Sequence, residues 1–492
     1  MNVLAQELQK AIRQIEDDSY YRNHKVPGKE RNEKYRLGFH LMPPIGWLND
    51  PNGLCQFRGE YHVFFQYCPF DPCGGLKVWG HFISKDLLHW SYLGTPIVPD
   101  QPWDCHGVYS GSALVEEDEL SLFYTGNVKF PGEYDYIHTG RGANTIMLSS
   151  KDGRYFSEKQ CILEQKDYPK NYTCHIRDPK VWKDDRYYMV LGGRQIGDKG
   201  AVLLYDSVDR IQWKLCNELT IEEPFGYMWE CPDLFRMEED WFLAVSPQGL
   251  TRKEFCYQNV YQSGYFLGKG DYRSDYSLEK FTEWDMGFDF YAPQTFTDES
   301  GRRILIGWAG LPDIEGEYEN PSVKLGWQHA LTVPREITVH HHRLYQYPVE
   351  EINDLRTEKC LLNHLELCSI TNGMFDLEMS EINGNIFTVF ITNELQLEYK
   401  DELFSLQFFG AMGAGRTRRR AVIKEITDLR VLCDKSLMEI FINQGEYVFT
   451  TRYYAAQEEM TIGIDCKTSK NILWKMKEME VLVENEEANS NW

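Results

Sequence analysis

Three acidic residues stand at the heads of apolar runs, each just before a proline: Asp50 in "GWLNDPNG", Asp178 in "RDPKV" and Glu230 in "WECPDLF". Carboxyl groups held close together oppose one another's ionisation, so a chain keeps such a cluster for chemistry or for a metal. Three acids suit cleavage of a glycosidic bond. One attacks the sugar carbon, and a second, about 5 Å away in an enzyme that retains configuration, acts first as acid and then as base. Asp50 fits the nucleophile, being short and fixed by its Asp-Pro turn. Glu230 fits the acid/base, since burial and nearby negative charge favour its protonated form. Asp178, beside Arg177, is expected to stay ionised and to hold substrate hydroxyls. Trp47, Trp79, Trp229 and Trp308 could wall an apolar sugar face, and each equally suits core packing. Taken singly, each acid has a plain structural reading: Asp-Pro-Asn-Gly makes a turn, Asp178 pairs with Arg177, and Glu230 ends a strand.

A repeat joins them. A strand, a charged turn and an aromatic-rich strand recur in "NDPNGLCQFRGEYHVFFQY", "YSGSALVEEDELSLFYTGN", "RDPKVWKDDRYYMVLGG", "ECPDLFRMEEDWFLAVSP" and "YAPQTFTDESGRRILIGWAG". The copies fall at intervals of roughly 50 to 70 residues, the size of a propeller blade. Between them lies a second phrase, "ISKDLLHW", "SSKDGRYF" and "YDSVDRIQW", which reads as an outer strand entered through a polar turn. The expected fold is therefore all-β: a five-bladed β-propeller over 31–348, with the acids at equivalent positions on strands that line its axis. After Leu344 the pattern becomes short alternating runs such as "GNIFTVFITNELQLEY" and "MTIGIDC", as in an antiparallel β-sandwich, placed at 349–492. "MNVLAQELQKAIRQIEDD" spaces Leu4, Leu8, Ile12 and Ile15 as an amphipathic helix within an N-terminal extension, 1–30. It has no apolar h-region, so a signal peptide is not expected.

The bulk properties narrow the partners. The formal charge of −23 argues against nucleic acid and against an anionic membrane surface. The one basic tract, "GAGRTRRRA" with Arg416, Arg418, Arg419 and Arg420, reads as a solvated strand or turn. Thirteen cysteines without paired spacing fit reduced thiols in a cytoplasmic protein. No segment is apolar for long enough to span a membrane. Oligomeric state stays open between monomer and homodimer.

The blocks "HLMPPIGWLNDPNG", "RDPKV", "WECPDLF", "GWQHALTVPRE" and "RLYQYPV" resemble, in order, the signature blocks of the invertase-type glycoside hydrolases, family thirty-two. The resemblance runs from about Gly38 to Pro348 and weakens through the sandwich. It implies a propeller–sandwich fold, β-fructofuranoside substrates, Asp50 as nucleophile, Glu230 as acid/base and Asp178 as transition-state stabiliser. It implies fructose contacts by Asn49, Gln66, Tyr109, Ser110 and Arg177, and places Trp47, Leu48, Trp79 and Trp308 among the candidate substrate-binding residues. This chemistry requires no metal or organic cofactor. "GLKVWGHFISKDLLHW" and "YTGNVK" are closer to intracellular members acting on sucrose 6-phosphate than to secreted ones. A phosphoryl group would want Lys or Arg near the funnel mouth, for which Lys129 and Arg141 are the candidates. The chain departs from the pattern at Gly74, where many relatives carry an aromatic; the departure bears on one pocket wall and on the aglycone preference. The rival readings are a fructan-cleaving or fructosyl-transferring enzyme, a non-catalytic sugar-binding propeller and a calcium-binding one.

Overall fold

A computed structural model describes residues 3–24 and 34–483. Five sheets occupy 46–348, and each opens with a long inner strand: Gly46–Phe57, Val108–Glu116, Tyr172–Lys183, Met228–Met237 and Tyr291–Thr297. Each inner strand packs on the next, and the fifth returns to the first, so the five form a closed ring around one axis. Within a sheet, successive strands pair antiparallel, as Gly46–Phe57 does with Glu60–Cys68 and then Val78–Ser84. These strands are buried on both faces, which is why they read as continuous Val-, Leu- and Phe-rich runs.

The second sequence phrase proves to be a repeated turn. Ser84 and Asp86, Ser150 and Asp152, and Ser207 and Asp209 pair through their side chains, and each aspartate also accepts two backbone N–H groups. Such Asx turns fix the exit from the third strand of a sheet.

A β-sandwich of two six-stranded antiparallel sheets follows over 356–476. Its strands alternate as the sequence requires: Phe387, Val389 and Ile391 are buried, while Ile386 and Phe390 face outward. The chain then returns, and Glu480–Val483 adds a parallel strand to the outer edge of the first propeller sheet. The N-terminal helix Val3–His24 docks on that same sheet's outer side. It buries Ile12, with Leu8 packed against the core, as expected; at the first turn Ala5 takes the buried place and Leu4 is exposed. Gln9 donates to the carbonyl of Thr95, and Glu16 accepts from Tyr92.

The basic tract forms a strand, Arg418–Val422, but it is only partly solvated: Arg418 is exposed, while other arginines turn inward. Arg416 is buried and donates to both oxygens of Asp289 at 2.8 and 2.7 Å, with its guanidinium 3.9 Å from the Tyr318 ring centroid. Arg419 lies over Phe288 and bonds Asn259. The tract therefore belongs to the seam between propeller and sandwich, where propeller acids supply its missing partners. A second buried network crosses the seam nearby. Arg335 donates to Glu439 at 2.9 and 2.6 Å, and Glu439 also meets His40 at 3.0 Å. Burial opposes a charge on His40, yet the bonds to Asp434 and Glu439 outweigh it and raise the imidazole above its ordinary range.

Removing one member of a buried ionic network leaves its partners uncompensated, at a cost of about 3–5 kcal/mol. Glu439→Gln is accordingly expected to lower the unfolding free energy by that order, read as a lower denaturant midpoint at unchanged slope, and an unchanged midpoint would show that the seam does not rest on this network.

Candidate active site

Every inner strand carries a β-bulge at the same place, two residues opposing one on its neighbour. The bulged pairs are Asn49–Asp50, Tyr109–Ser110, Asp178–Pro179, Cys231–Pro232 and Ala292–Pro293, as the register gaps show. A bulge re-aims side chains and sharpens the local twist, so five of them at one height turn their residues toward the ring's axis. The acids share this bulge without sharing a position in it. Asp50 is its second residue, Asp178 its first, and Glu230 the residue before it. The expected equivalence of positions is thus corrected to a one-residue stagger.

The first bulge residue is left-handed in three strands: φ is 65° at Asp178, 46° at Cys231 and 45° at Ala292. Each conformation costs an L-residue roughly 1–2 kcal/mol, and such strain persists where the surrounding structure enforces it. Part of that enforcement is close packing: a Cβ on Gly192 would lie 2.2 Å from the Trp229 carbonyl, so glycine lets the neighbouring strand bring Glu230 inward.

A hydrogen-bonded chain fixes Asp50. Trp47 Nε1 donates to Asn49 Oδ1 at 2.9 Å, and Asn49 Nδ2 donates to Gln66 Oε1 at 2.6 Å and to Asp50 Oδ1 at 3.1 Å. Gln66 Nε2 donates to Ser110 Oγ at 2.6 Å, and the Ser110 hydroxyl donates to Asp50 Oδ2. Burial raises the Asp50 carboxyl above its ordinary range; the bonds from Ser110 and Asn49 pull it down, and Glu230 adds to the rise.

Arg177 is the one guanidinium bonded within the acid cluster. Its Nε and Nη2 both reach Glu230 Oε1, at 3.1 and 2.5 Å, while its Nε stands 3.9 Å from Asp178. Glu230 Oε2 accepts from Gln248 and from Tyr291, each at 2.6 Å. The negative surroundings expected of Glu230 therefore include a cation in direct contact. Asp178, expected to be kept ionised by Arg177, has lost first claim on it. Burial pushes its carboxyl up to about 7, Arg177 opposes this and Glu230 adds to it. His175 accepts from Arg177 Nη1 at 2.7 Å while its Nε2 faces the Tyr136 carbonyl at 3.2 Å. Burial and the guanidinium groups of Arg177 and Arg141 hold that imidazole neutral, down to about 2.

Cys231 joins two of the acids: its Sγ is 3.6 Å from Oδ2 of both Asp50 and Asp178, and its backbone N–H donates to Asp178 at 2.9 Å. Burial and the surrounding carboxyl groups raise the thiol well above its ordinary range, so it is a donor and not a thiolate. Sequence reasoning missed Cys231, Gln248, His175 and Tyr291. Tyr291 had a usable signal, since it heads the fifth copy of the repeat and aligns with Glu230 in register.

The tryptophans divide. Trp47 is half-buried, its ring edge-on to Trp308 at 5.8 Å and to His329 at 4.4 Å. Trp79, Trp229 and Trp308 are core residues. Trp79 packs between Phe64 and Tyr124 and donates to the Tyr109 carbonyl, so it braces the bulge and cannot wall a sugar. Trp308 backs Trp47 from beneath. Leu48 is fully buried in the core and cannot touch substrate. Lys129 and Arg141 face each other across a strand pair. Lys129 is exposed with its amine over Tyr136, while Arg141 turns toward Tyr109 and Arg177. Among the described residues no group of three His, Cys, Asp or Glu side chains could hold a metal ion.

Because Asp178 titrates near 7 in the fold and ordinarily near 3.8, the folded state holds an extra proton between those values and loses stability as pH rises through them. Asp178→Asn removes that dependence. Its gain in unfolding free energy over the unsubstituted chain should be larger at pH 8 than at pH 5, by about a few kcal/mol, as read by denaturant titration at the two pH values; equal gains would mean Asp178 titrates normally.

Comparison with known proteins identifies the family. The N-terminal domain of glycosyl hydrolases family 32 matches residues 40–348, and the C-terminal domain of that family matches 390–478. The chain is 37% identical over 466 residues to a sucrose-6-phosphate hydrolase of Bacillus subtilis, covering 90% of this chain and 95% of that one. It is 38% identical over 430 residues to the Klebsiella pneumoniae sucrose-6-phosphate hydrolase, covering 85% and 88%. Among solved structures, sucrose-6-phosphate hydrolase from Lactobacillus gasseri superposes with a TM-score of 0.85 at 30% identity, over 95% of this chain and 97% of that one. A Bombyx mori beta-fructofuranosidase gives 0.83 at 29%, over 96% and 99%. With both of its domain models matched in order, the chain belongs to glycosyl hydrolase family 32.

Proposed function

We propose that the chain is a retaining β-fructofuranosidase that cleaves sucrose 6-phosphate and sucrose. The observation that carries the reading is the staggered trio on the bulges of the first, third and fourth inner strands, with Arg177 set on Glu230 and a hydrogen-bond chain set on Asp50. Asp50 attacks the anomeric C2 of the fructosyl unit while Glu230 gives its proton to the departing glucosyl oxygen. The covalent fructosyl–enzyme is then opened by a water molecule that Glu230 deprotonates. Gln248, Tyr291 and Arg177 fix the Glu230 carboxyl between three donors, so both proton transfers run through one orientation. Asp178 holds fructosyl hydroxyls, and its bond from the Cys231 N–H keeps it in place. A cytoplasmic site of action fits thirteen free thiols, several of them exposed. No helix of the described residues is long and apolar enough to cross a membrane.

General acid–base help is worth about 10²–10⁴ in rate. Glu230→Gln should lose that much kcat on sucrose; a fructosyl fluoride, whose leaving group needs no proton, should recover most of it only when azide replaces the water that Glu230 would otherwise deprotonate. Near-normal sucrose turnover by the variant would refute the assignment. The acidic limb of the kcat/KM profile should also lie above the ordinary aspartate range, because burial raises Asp50. Ser110→Ala removes the bond that opposes this, so it should move the limb to higher pH; a shift to lower pH, or none, would detach Ser110 from the nucleophile.

A further inference from the structure

Arg177 is occupied by Glu230, but two other cations border the site without a salt bridge among the described residues, each only in longer-range attraction to an acid of the cluster. Lys77 lies just before the strand Val78–Ser84, with its ammonium 4.8 Å from the Trp47 ring centroid and in electrostatic reach of Asp50. Among the described residues its ammonium makes no hydrogen bond or ion pair, and burial lowers its pKa to about 8. Gly74 leaves room over it: a Cβ there would stand 3.6 Å from Lys77 Nζ and 3.7 Å from the Trp47 ring, so any larger side chain would crowd the amine. On the other side, Arg141 has a buried Nε with no acceptor and no ion pair among the described residues. Its closest electrostatic neighbours include Tyr109 and a like charge, Arg177. The backbone of Lys77 also borders Tyr109, since a Cβ on Gly107 would sit 3.1 Å from the Tyr109 ring and 3.5 Å from the Lys77 nitrogen. The two cations thus flank one aromatic residue beside the acids.

A desolvated cation without a partner is costly, and a cation set beside another is more so. Core packing does not account for them, because methionine would fill either place without the charge. Trp47 gives Lys77 part of a partner, which leaves its three N–H donors unspent. The set matches a phosphomonoester: a point charge from lysine and a planar fork from arginine. Lys129, the other candidate from the sequence, is exposed and stacked on Tyr136. We propose that Lys77 and Arg141, and not Lys129, form an anion subsite at the rim of the funnel that takes the phosphate carried on the aglycone sugar. The inference rests on the hydrolase reading above and assigns its preference for the phosphorylated substrate to these two residues.

The test compares kcat/KM for sucrose 6-phosphate and sucrose in the full chain and in Lys77→Met, Arg141→Met and the double variant. The ratio should favour the phosphorylated sugar in the unsubstituted chain and fall about 10- to 100-fold with each substitution. A ratio left unmoved by the substitutions overturns the subsite, even with both sugars cleaved. Failure of the unsubstituted chain to cleave either sugar would instead refute the hydrolase reading. A binding arm keeps the subsite testable in that case. Glucose 6-phosphate, titrated calorimetrically into the chain, should bind, and the double variant with unchanged circular dichroism should bind it at least 10-fold more weakly. Equal binding by both would also overturn the subsite.

Discussion

Three carboxyl groups withdrawn from water share one bonded guanidinium, and most of the site follows from how that charge is divided. Arg177 gives Glu230 two of its nitrogens and leaves Asp178 at 3.9 Å. What Arg177 does not supply must come from neutral donors: Ser110 and Asn49 for Asp50, the Cys231 N–H for Asp178, Gln248 and Tyr291 for Glu230. These donors come from all five sheets except that of Arg177 itself, whose His175 steadies the guanidinium instead. A closed ring of sheets is therefore not simply a scaffold under the acids. It is the means by which donors far apart in sequence are brought to one place, because no single strand can offer a buried carboxylate enough hydrogen bonds. The same physics governs the seam with the sandwich, where Arg416 meets Asp289 and Arg335 meets Glu439 in places closed to water. There the charges fix how two domains are seated; at the axis they prepare a reaction.

Much of this was legible in the chain because it is written locally. The acids stand one or two positions before prolines, the repeat is spelled out in strings of twenty residues or fewer, and the alternation after Leu344 is a period of two. What was not legible depended on partners distant in sequence. "GAGRTRRRA" looks solvated until Asp289, 127 positions away, is placed against Arg416. Trp79 and Trp308 carry the same residue type as Trp47, but the face of a strand on which each lies is set by pairing register, not by composition. The stagger of the acids has the same origin. It is visible only once each inner strand is aligned to its neighbour, since the chain alone shows an acid before a proline and not where the extra residue falls. Lys77 carries no local mark either; its meaning comes from Trp47 beneath it and from what Gly74 omits.

The sandwich contributes no side chain to the acid cluster, yet the propeller is closed partly through it. Glu480–Val483 pairs with the outermost strand of the first sheet, and the N-terminal helix lies over that sheet from the opposite end of the chain. Both described ends of the chain thus converge on the sheet that carries Asp50, Asn49 and Gln66. Order in the Asp50 sheet is thus tied to a strand, Glu480–Val483, that lies more than 400 positions along the chain from Asp50.

The one-residue offsets of Asp50, Asp178 and Glu230 have a consequence for descent by duplication. Five sheets of like design suggest parts that could be exchanged, copied or permuted. They cannot be at this site, for the three acid-bearing strands deliver their carboxyl groups from three different steps of the same bulge. A sheet moved one place round the ring would keep its fold and present its acid out of phase with its neighbours. The repeat is interchangeable as architecture and ordered as chemistry, much as letters of one typeface are uniform in form and fixed in sequence by the word they spell.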